Sequence, residues 1–328
     1  MSQVVSSSSR LTLTRQQSAD DFNSENTALK NKAGAQLAAA ITKEASIQTY
    51  YTIRYLVDRP LVADAYRAYA YFRWVDDLLD QGHLTPPERL DFLARQQGIV
   101  RRCFQGDKVD YLYPEEQLVV DLIQNNQTNN HGLRIYLDQM MAVMALDVKR
   151  FGRLISAAEL DEYTLCLATA VTEALHYFIG HDEFAPQDET RYLAVIGAHI
   201  THMLRDMVED TAVGYYNIPQ EYLETRSVDI MDVNCAAFRD WVCSQVHLAR
   251  DYFAAGRNYL AQVENLRCRL AGYAYIARFE IVLDAIEEDN YRLRAAYPER
   301  KSKKACLKMF HAALTQTIVA ALPGKPFQ

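Results

Sequence analysis

Long intervals without proline constrain the fold of this chain more than any other feature of its sequence. No proline occurs between Pro114 and Pro186 or between Pro219 and Pro298, so both intervals can hold long uninterrupted helices. Glycine is scarce as well. The 328 residues include 12 glycines and 9 prolines, about half the usual share of these two residue types. Turn-rich β-sandwiches and barrels need more of both, so the sequence favours long helices.

Apolar side chains recur at helical spacing from about residue 33 onwards. One segment places five of them three and four residues apart, on one helix face: Leu160, Tyr163, Leu167, Val171 and Leu175. Strand-like alternation does not persist for more than a few residues. Glycine and proline predict breaks between helices in four segments: 82–87, 106–114, 180–188 and 214–219. After the first break, Thr85 is predicted to cap a helix that begins with two prolines and Glu88.

Charge and composition exclude several classes of protein. The net charge of −7 speaks against binding to nucleic acid, which needs a basic face. No uncharged apolar run reaches 18 residues, so no transmembrane helix is predicted. The six cysteines form no C-x-x-C motif and lie in apolar stretches, which predicts buried thiols in a reducing compartment.

The first 30 residues differ from the rest of the chain. They are rich in serine, and the first acidic residue is Asp20. An organelle transit peptide has a similar composition, but a flexible tail is the simpler interpretation. The sequence therefore predicts an all-α, single-domain helical bundle over residues 31–328, preceded by a flexible tail at 1–30.

Two acidic segments on predicted helices point to chemistry. Asp76 and Asp80 are four residues apart, and Asp206 and Asp210 repeat that spacing. Each pair projects from one helix face, where like charges destabilise a helix by roughly 0.2–0.5 kcal/mol unless a cation lies between them. A single pair of this kind is usually a solvated face. Both pairs here have many apolar neighbours, so on facing helices they would form a cleft with four carboxylates.

Oxygen ligands of this kind suit Mg²⁺, with Mn²⁺ as the alternative. Zinc is not predicted, because neither segment pairs its acids with a set of cysteines and histidines at metal-binding spacing. Arg73 and Arg205 stand beside the two pairs and can each grip a phosphate group in bidentate fashion. The residues thus predict metal-assisted departure of diphosphate. The resulting carbocation would need a dry pocket with aromatic faces.

These motifs resemble those of the squalene/phytoene synthase family, which makes isoprenoids. Residues 69–80 match its aromatic lead and Arg-x-x-Asp-Asp-x-x-Asp pattern, and residues 205–219 match Arg-Asp-x-x-Glu-Asp followed by Gly and Pro. Further similarity lies at Ser46-x-x-Thr49-Tyr50, between Asp147 and Tyr163, and from Ile281 to Tyr291. The resemblance extends from about Ser46 to Leu307. It implies the family's isoprenoid-synthase bundle of helices around a central cleft.

The resemblance also implies roles for individual residues. Metal ions bound to the substrate diphosphate would be held by Asp76, Asp80, Asp206 and Asp210, which with Arg73 and Arg205 form the catalytic set. The substrate-binding residues that it implies are Thr49, Tyr50, Tyr69, Asp77, Tyr163, Thr169, Thr172 and His202. Two alternatives stay open: Arg73 pairs only with Asp77, and Tyr69 is ordinary helix packing.

The chain departs from the family pattern in three places. The family has asparagine where His202 stands, and glycines where Thr169 and Thr172 stand. Its Gly-Arg-x-Tyr-Leu-Pro segment is replaced by the sequence Gly-Tyr-Tyr-Asn-Ile-Pro at 214–219. Threonine is larger than glycine, so we expect the two threonines to narrow the channel and favour a C15 substrate over C20. Alternatively, their hydroxyl groups bond to carbonyl oxygens four residues earlier and face a neighbouring helix.

The predicted function is head-to-head condensation of two prenyl diphosphates, farnesyl or geranylgeranyl, to a squalene-, dehydrosqualene- or phytoene-type hydrocarbon. NADPH is expected only if the product is squalene. Two alternatives are a terpene cyclase or prenyltransferase of the same fold that acts on one prenyl diphosphate, and a non-catalytic family member.

The protein is predicted to be cytoplasmic and monomeric or homodimeric, without a nucleic-acid partner. Peripheral contact with a membrane is predicted through the amphipathic segment 310–322 and the four lysines before it. A solvated basic patch on an ordinary core helix is the competing interpretation.

Overall fold

The computed structural model describes residues 31–80, 84–128, 130–181, 183–233 and 235–301, together with residues 307, 311, 314 and 315. The predicted tail at 1–30 and most of the segment at 310–322 lie outside these residues. The tail, the domain boundary and the membrane contact therefore stay predictions.

The predicted all-α class is confirmed, and the described residues contain no β-strand. The helices are α1 (31–45), α2 (Ile47–Leu56), α3 (Val62–Asp80), α4 (Pro86–Phe104), α5 (Pro114–Asn125), α6 (His131–Arg150), α7 (Ala157–Phe178), α8 (Leu193–Val213), α9 (Gln220–Arg226), α10 (Ala236–Gln262) and α11 (Leu266–Glu288). Short 3₁₀ turns occupy Arg59–Leu61 and Pro298–Lys301.

Local capping chemistry sets several helix ends. The backbone N–H and the hydroxyl group of Thr85 both donate to the Glu88 carboxylate, at 2.8 and 2.7 Å, where α4 begins. Helix α8 ends at Gly214, whose φ of 96° is a left-handed conformation that glycine adopts without steric cost. All four breaks predicted from glycine and proline lie at junctions between helices, with Pro86, Pro87 and Pro114 in the first turns of α4 and α5. The breaks between α5 and α6 and between α6 and α7 contain no proline and were not predicted.

Helix α8 is the central element of the bundle and packs against α7, α10 and α11. Its approach to α10 is close because both helices have glycine at the contact. A Cβ atom on Gly197 would lie 3.0 Å from the Ala249 carbonyl oxygen, and one on Gly256 would lie 2.6 Å from the Cβ of Ala194. Helix α3 packs against α2, α5 and α6, on the other side of the cleft described below.

A buried polar network joins α7, α10 and the loop before α8. Arg191 donates from Nε to Oε1 of Glu173 at 2.7 Å and from Nη1 to the Tyr259 hydroxyl at 2.8 Å. The same hydroxyl lies 2.8 Å from Nε2 of His176. Burial, helped by the charge of Arg191, lowers the pKa of His176 to about 4. His176 is therefore neutral at physiological pH.

The described cysteines are all free thiols. Cys103 and Cys268 are buried, as predicted, whereas Cys166, Cys235 and Cys243 are half-buried. In the part of the chain that the structure describes, no helix is both long enough and apolar enough to cross a bilayer.

Candidate functional site

A cleft of about 500 Å³ lies between α3, α6, α7, α8 and α11. Asp76 and Asp80 line it from α3, and Asp206 and Asp210 line it from α8. Most other lining residues are aliphatic, thioether or aromatic: Phe72, Tyr136, Met140, Val143, Met144, Leu167, Val171, Val195, Ala198, Met203, Tyr275 and Phe279. The cleft thus joins four carboxylates to a largely apolar pocket.

The carboxylate pair on α3 is only partly neutralised. Burial and the charge of Asp80 raise the pKa of Asp76 to about 7, although a guanidinium nitrogen of Arg73 lies 3.5 Å from its carboxylate. Arg73 donates from Nε to Asp77 at 3.0 Å, and a second hydrogen bond joins the same two side chains. Arg73 therefore pairs with both aspartates, more closely with Asp77, and not with Asp77 alone.

The carboxylate pair on α8 is neutralised at one end only. Burial alone would raise the pKa of Asp206, but hydrogen bonds from Arg205 at 2.5 Å and from His202 at 2.9 Å hold it well below its usual value. Burial and the charge of Asp206 raise the pKa of Asp210 to about 6. Like Asp76, Asp210 therefore carries repulsion that a bound cation would relieve.

The loop after α8 supplies a polar contact to each carboxylate pair. The Tyr215 hydroxyl donates to Asp80 at 3.0 Å, and the Asn217 amide donates to Asp210 at 2.7 Å. Asn217 in turn accepts a hydrogen bond of 2.5 Å from Arg150 on α6. Two of the residues by which this chain departs from the family pattern thus contact the predicted metal ligands directly.

Arg150 is a central cleft residue that sequence reasoning missed. It donates from Nε to Asp147 at 2.7 Å, and its guanidinium carbon lies 4.7 Å from the ring centre of Tyr163 and 5.0 Å from that of Tyr215. Asp147 also accepts a hydrogen bond from the Tyr163 hydroxyl at 3.1 Å. The spacing of Asp147 and Arg150, three residues apart on one helix, was the available signal.

Two backbone hydrogen bonds hold the loops at this end of the bundle together. The N–H of Gly152 donates to the Gly214 carbonyl at 2.9 Å, and the N–H of Gln220 donates to the Ile155 carbonyl at 2.8 Å. The turn between α6 and α7 is therefore joined to the loop that carries Tyr215.

The predicted site residues divide into two groups. Besides the four aspartates, the cleft lining includes Arg73, Tyr69, Tyr163 and His202. The lining does not include Arg205, which pairs with Asp206 from outside it, nor Asp77, nor Thr49 and Tyr50 on α2.

The two threonines on α7 do not line the cleft either. Helix α7 contributes Tyr163, Leu167 and Val171 instead. Thr172 is 4% exposed, and its hydroxyl group has no hydrogen-bond partner among the described residues. Neither threonine is placed to narrow the channel, so the aliphatic side chains set its width on this side.

The donor chemistry of the cleft fits a divalent cation, although the described side chains do not form a compact group of three or more metal-ligating residues. All four aspartates line one space, and carboxylate oxygens are the ligands that Mg²⁺ prefers. Burial, together with the charge of the neighbouring aspartate, raises the pKa values of Asp76 and Asp210, so a bound cation would favour the ionised form of both carboxyl groups.

Comparison with known proteins identifies the family. The squalene/phytoene synthase family model matches residues 42–308. The chain belongs to the squalene/phytoene synthase family. The predicted resemblance is therefore confirmed, as is the prediction that the protein is a prenyltransferase.

The relatives of this member of the family are distant in sequence. It is 28% identical to a 15-cis-phytoene synthase from Synechocystis sp. over an alignment of 250 residues. The alignment covers 70% of each chain. It is 25% identical over 306 residues to a 15-cis-phytoene synthase from Synechococcus elongatus, covering 82% of this chain and 91% of that one.

Solved structures share the fold at lower identity. A squalene synthase from Alicyclobacillus acidocaldarius has a TM-score of 0.65 at 19% identity and covers 81% of this chain and 97% of its own. A dehydrosqualene synthase in complex with a ligand has a TM-score of 0.66 at 14% identity. The match covers 89% of this chain and 98% of the dehydrosqualene synthase. At these identities the likeness shows the bundle alone.

Proposed function

We propose that this protein condenses two prenyl diphosphates head to head, with loss of diphosphate, to a hydrocarbon of the squalene, dehydrosqualene or phytoene type. One observation carries the proposal: two aspartate pairs from α3 and α8 line the same cleft as many apolar and aromatic side chains. The carboxylates suit a metal-bound diphosphate, and the apolar surface suits a prenyl chain.

The four aspartates would hold Mg²⁺, or Mn²⁺ in its place, which would supply positive charge to the departing diphosphate. Arg73 lines the same part of the cleft and can turn from Asp77 to a phosphate oxygen. Arg205 and His202 fix the carboxylate of Asp206 through hydrogen bonds. Arg73 would bind the polar end of the substrate directly, whereas Arg205 and His202 would orient it by fixing Asp206.

The apolar part of the cleft would serve the carbocation left behind. Its aliphatic and thioether side chains exclude water, which would otherwise capture the cation as an alcohol. The rings of Phe72 and Tyr136 pack edge to face, with centroids 5.3 Å apart, and both line the cleft. Aromatic faces of this kind stabilise a nearby positive charge.

A second candidate is the cyclisation of one prenyl diphosphate or its transfer to another acceptor. Tyr215 and Asn217 favour it, because both differ from the family pattern and both contact the aspartates. A non-catalytic role has less support, since both aspartate pairs are complete and line one cleft.

The test is to incubate the purified protein with farnesyl or geranylgeranyl diphosphate, with and without Mg²⁺, Mn²⁺ and NADPH, while measuring diphosphate release and identifying products by mass spectrometry. A C30 or C40 hydrocarbon that requires the divalent cation supports the proposal. A C15 or C20 product supports the second candidate. Absence of diphosphate release from both substrates overturns both.

A further inference from the structure

His199 is a polar residue in the cleft that the proposed function has not yet used. It lines the cleft from α8, is 7% exposed, and its ring lies 5.2 Å from that of Tyr163. Neither of its ring nitrogens has a hydrogen-bond partner among the residues that the structure describes. His202, the other histidine in the lining, is bound to Asp206 through Nε2.

An unpaired imidazole at such a site is costly. A buried polar group without a partner costs about 1–3 kcal/mol, and leucine or phenylalanine would fill this space without that cost. The lining around it is otherwise mainly aliphatic, thioether and aromatic. A role in acting on the bound ligand would explain why a nitrogen base occupies this position.

The position of His199 relative to the aspartates limits what it can meet. It lies seven residues before Asp206 on α8, which is two helical turns or about 10 Å along the helix on nearly the same face. Along α8, this separation places His199 two turns away from Asp206, the nearer of the two aspartates on that helix. It would meet the hydrocarbon part of a bound prenyl chain, after positive charge has moved along that chain.

The protonation state of His199 suits a proton acceptor. Burial, with smaller contributions from His202 and Arg150, lowers the pKa of His199 to about 3. The ring is therefore neutral, and one of its nitrogens has a free lone pair. A carbon–hydrogen bond next to a carbocation is far more acidic than an imidazolium ion, so even this weak base can accept its proton.

We propose that His199 is the base that ends the reaction by removing a proton from the carbocation, so that the product is an olefin formed without a reductant. The C–H bond beside the cationic carbon breaks, and its electron pair becomes the second bond of a new carbon–carbon double bond. The proton joins the lone pair of a ring nitrogen of His199 and passes to water when the product leaves. This inference rests on the proposed function and selects the dehydrosqualene or phytoene type of product over squalene.

The experiment compares wild type with His199→Leu and His199→Gln and measures diphosphate release and olefin formation in the same reaction. Leucine removes both polar atoms, whereas glutamine keeps a hydrogen-bond donor and acceptor but is not a base. His131→Gln is the matched control, because His131 is exposed at the start of α6 and does not line the cleft. Thermal unfolding establishes that each variant is folded.

We expect diphosphate release within about threefold of wild type in both His199 variants, and olefin formation reduced about 100-fold, the size of a general-base contribution. The missing olefin should appear as alcohols, formed when water captures the carbocation that has not lost its proton. The wild-type olefin should form without NADPH. If His199→Leu does not fold, the glutamine variant alone decides.

Three results would overturn the proposal. One is normal olefin formation in His199→Leu. Another is rescue by glutamine, which would make His199 a positioning residue. The third is loss of diphosphate release in a folded variant, which would place the role of His199 before the cation forms. Failure of the proposed function looks different, because wild type would then release no diphosphate or give no head-to-head product.

Discussion

The four aspartates of the cleft have different electrostatic surroundings. Asp206 is held ionised by Arg205 and His202, whereas burial and a like charge raise the pKa values of Asp76 and Asp210. On α3 the negative charge of Asp80 repels that of Asp76, and on α8 the negative charge of Asp206 repels that of Asp210. A cation bound between the carboxylates would offset both the burial cost and the repulsion, and would therefore favour the ionised form of Asp76 and Asp210.

This asymmetry leads to a prediction for Asp210→Asn. The substitution removes a predicted metal ligand, so kcat/KM should fall about 100-fold or more. We expect Mg²⁺ to raise the Tm of wild type by binding the folded state, and this rise should be lost in the variant. The metal-free variant should be at least as stable as wild type, because the repulsion from Asp206 is gone.

Glu209→Gln is the matched control for this variant. Glu209 carries the same charge on the next residue of α8, but it is exposed and does not line the cleft. Its activity and its response to Mg²⁺ should equal those of wild type. Equal losses in both variants would mean that net charge, rather than ligation, explains the effect.

At the scale of elements, the position of α8 depends on how closely it packs against α10. Gly256 on α10 lies against the backbone of Ala194 on α8. Ala194 is three residues before Gly197, the other glycine at this contact. Neither glycine has a positive φ, so both are there for close approach rather than for backbone freedom. The separation between these helices sets where α8 presents its aspartates.

We predict that Gly256→Ala destabilises the protein by about 1–3 kcal/mol, because the added methyl group would overlap Ala194 at 2.6 Å. The matched control is Gly98→Ala on α4, where a Cβ atom would have no neighbour within 4 Å. That change should stabilise by about 0.5–1 kcal/mol through helix propensity. Urea unfolding measures both, and the same sign for the two variants would contradict this account of the contact.

The helices were largely predictable from the sequence, because apolar spacing and proline positions are local signals. Thr85 with Glu88 predicted a helix start that the structure confirms. The turn at 151–156 was missed, since it lies in a long interval without proline and its stabilising partner is the distant Gly214.

The acidic part of the cleft was predicted more fully than the rest. The four aspartates share local spacing, whereas Arg150 reaches Asn217 across 67 residues, and no short-range pattern reports that contact. The sequence could not predict that Thr169 and Thr172 lie outside the cleft lining, because this depends on how α7 is rotated about its axis relative to its neighbours.

At the scale of the whole molecule, buried histidines make stability depend on pH. The folded pKa of His176 is about 4, below its ordinary value near 6.5. The unfolded chain therefore binds this proton more readily than the folded one. The contribution of His176 to stability is fully present above pH 6.5 and is lost as the pH falls toward 4.

The corresponding prediction concerns His176→Gln, which keeps a polar partner for Tyr259 but does not titrate. Between pH 6.5 and 4, the free energy of unfolding should fall in both proteins. The fall should be smaller in the variant, and the difference between the two falls should be roughly 1–3 kcal/mol. Urea unfolding at several pH values measures this difference, and groups that titrate in both proteins cancel. The exposed His131→Gln should follow the wild-type curve, whereas parallel curves for wild type and His176→Gln would contradict the prediction.

The joined loops at 151–156 and 214–220 have a consequence for evolution of the enzyme. Backbone atoms make the hydrogen bonds between Gly152 and Gly214 and between Ile155 and Gln220, so these bonds do not depend on the side chains of Tyr215 and Asn217. Tyr215 and Asn217 can therefore be exchanged for other residues while the frame around the carboxylates is kept. A lineage could retune how this end of the cleft treats a diphosphate, one side chain at a time, without rebuilding the bundle.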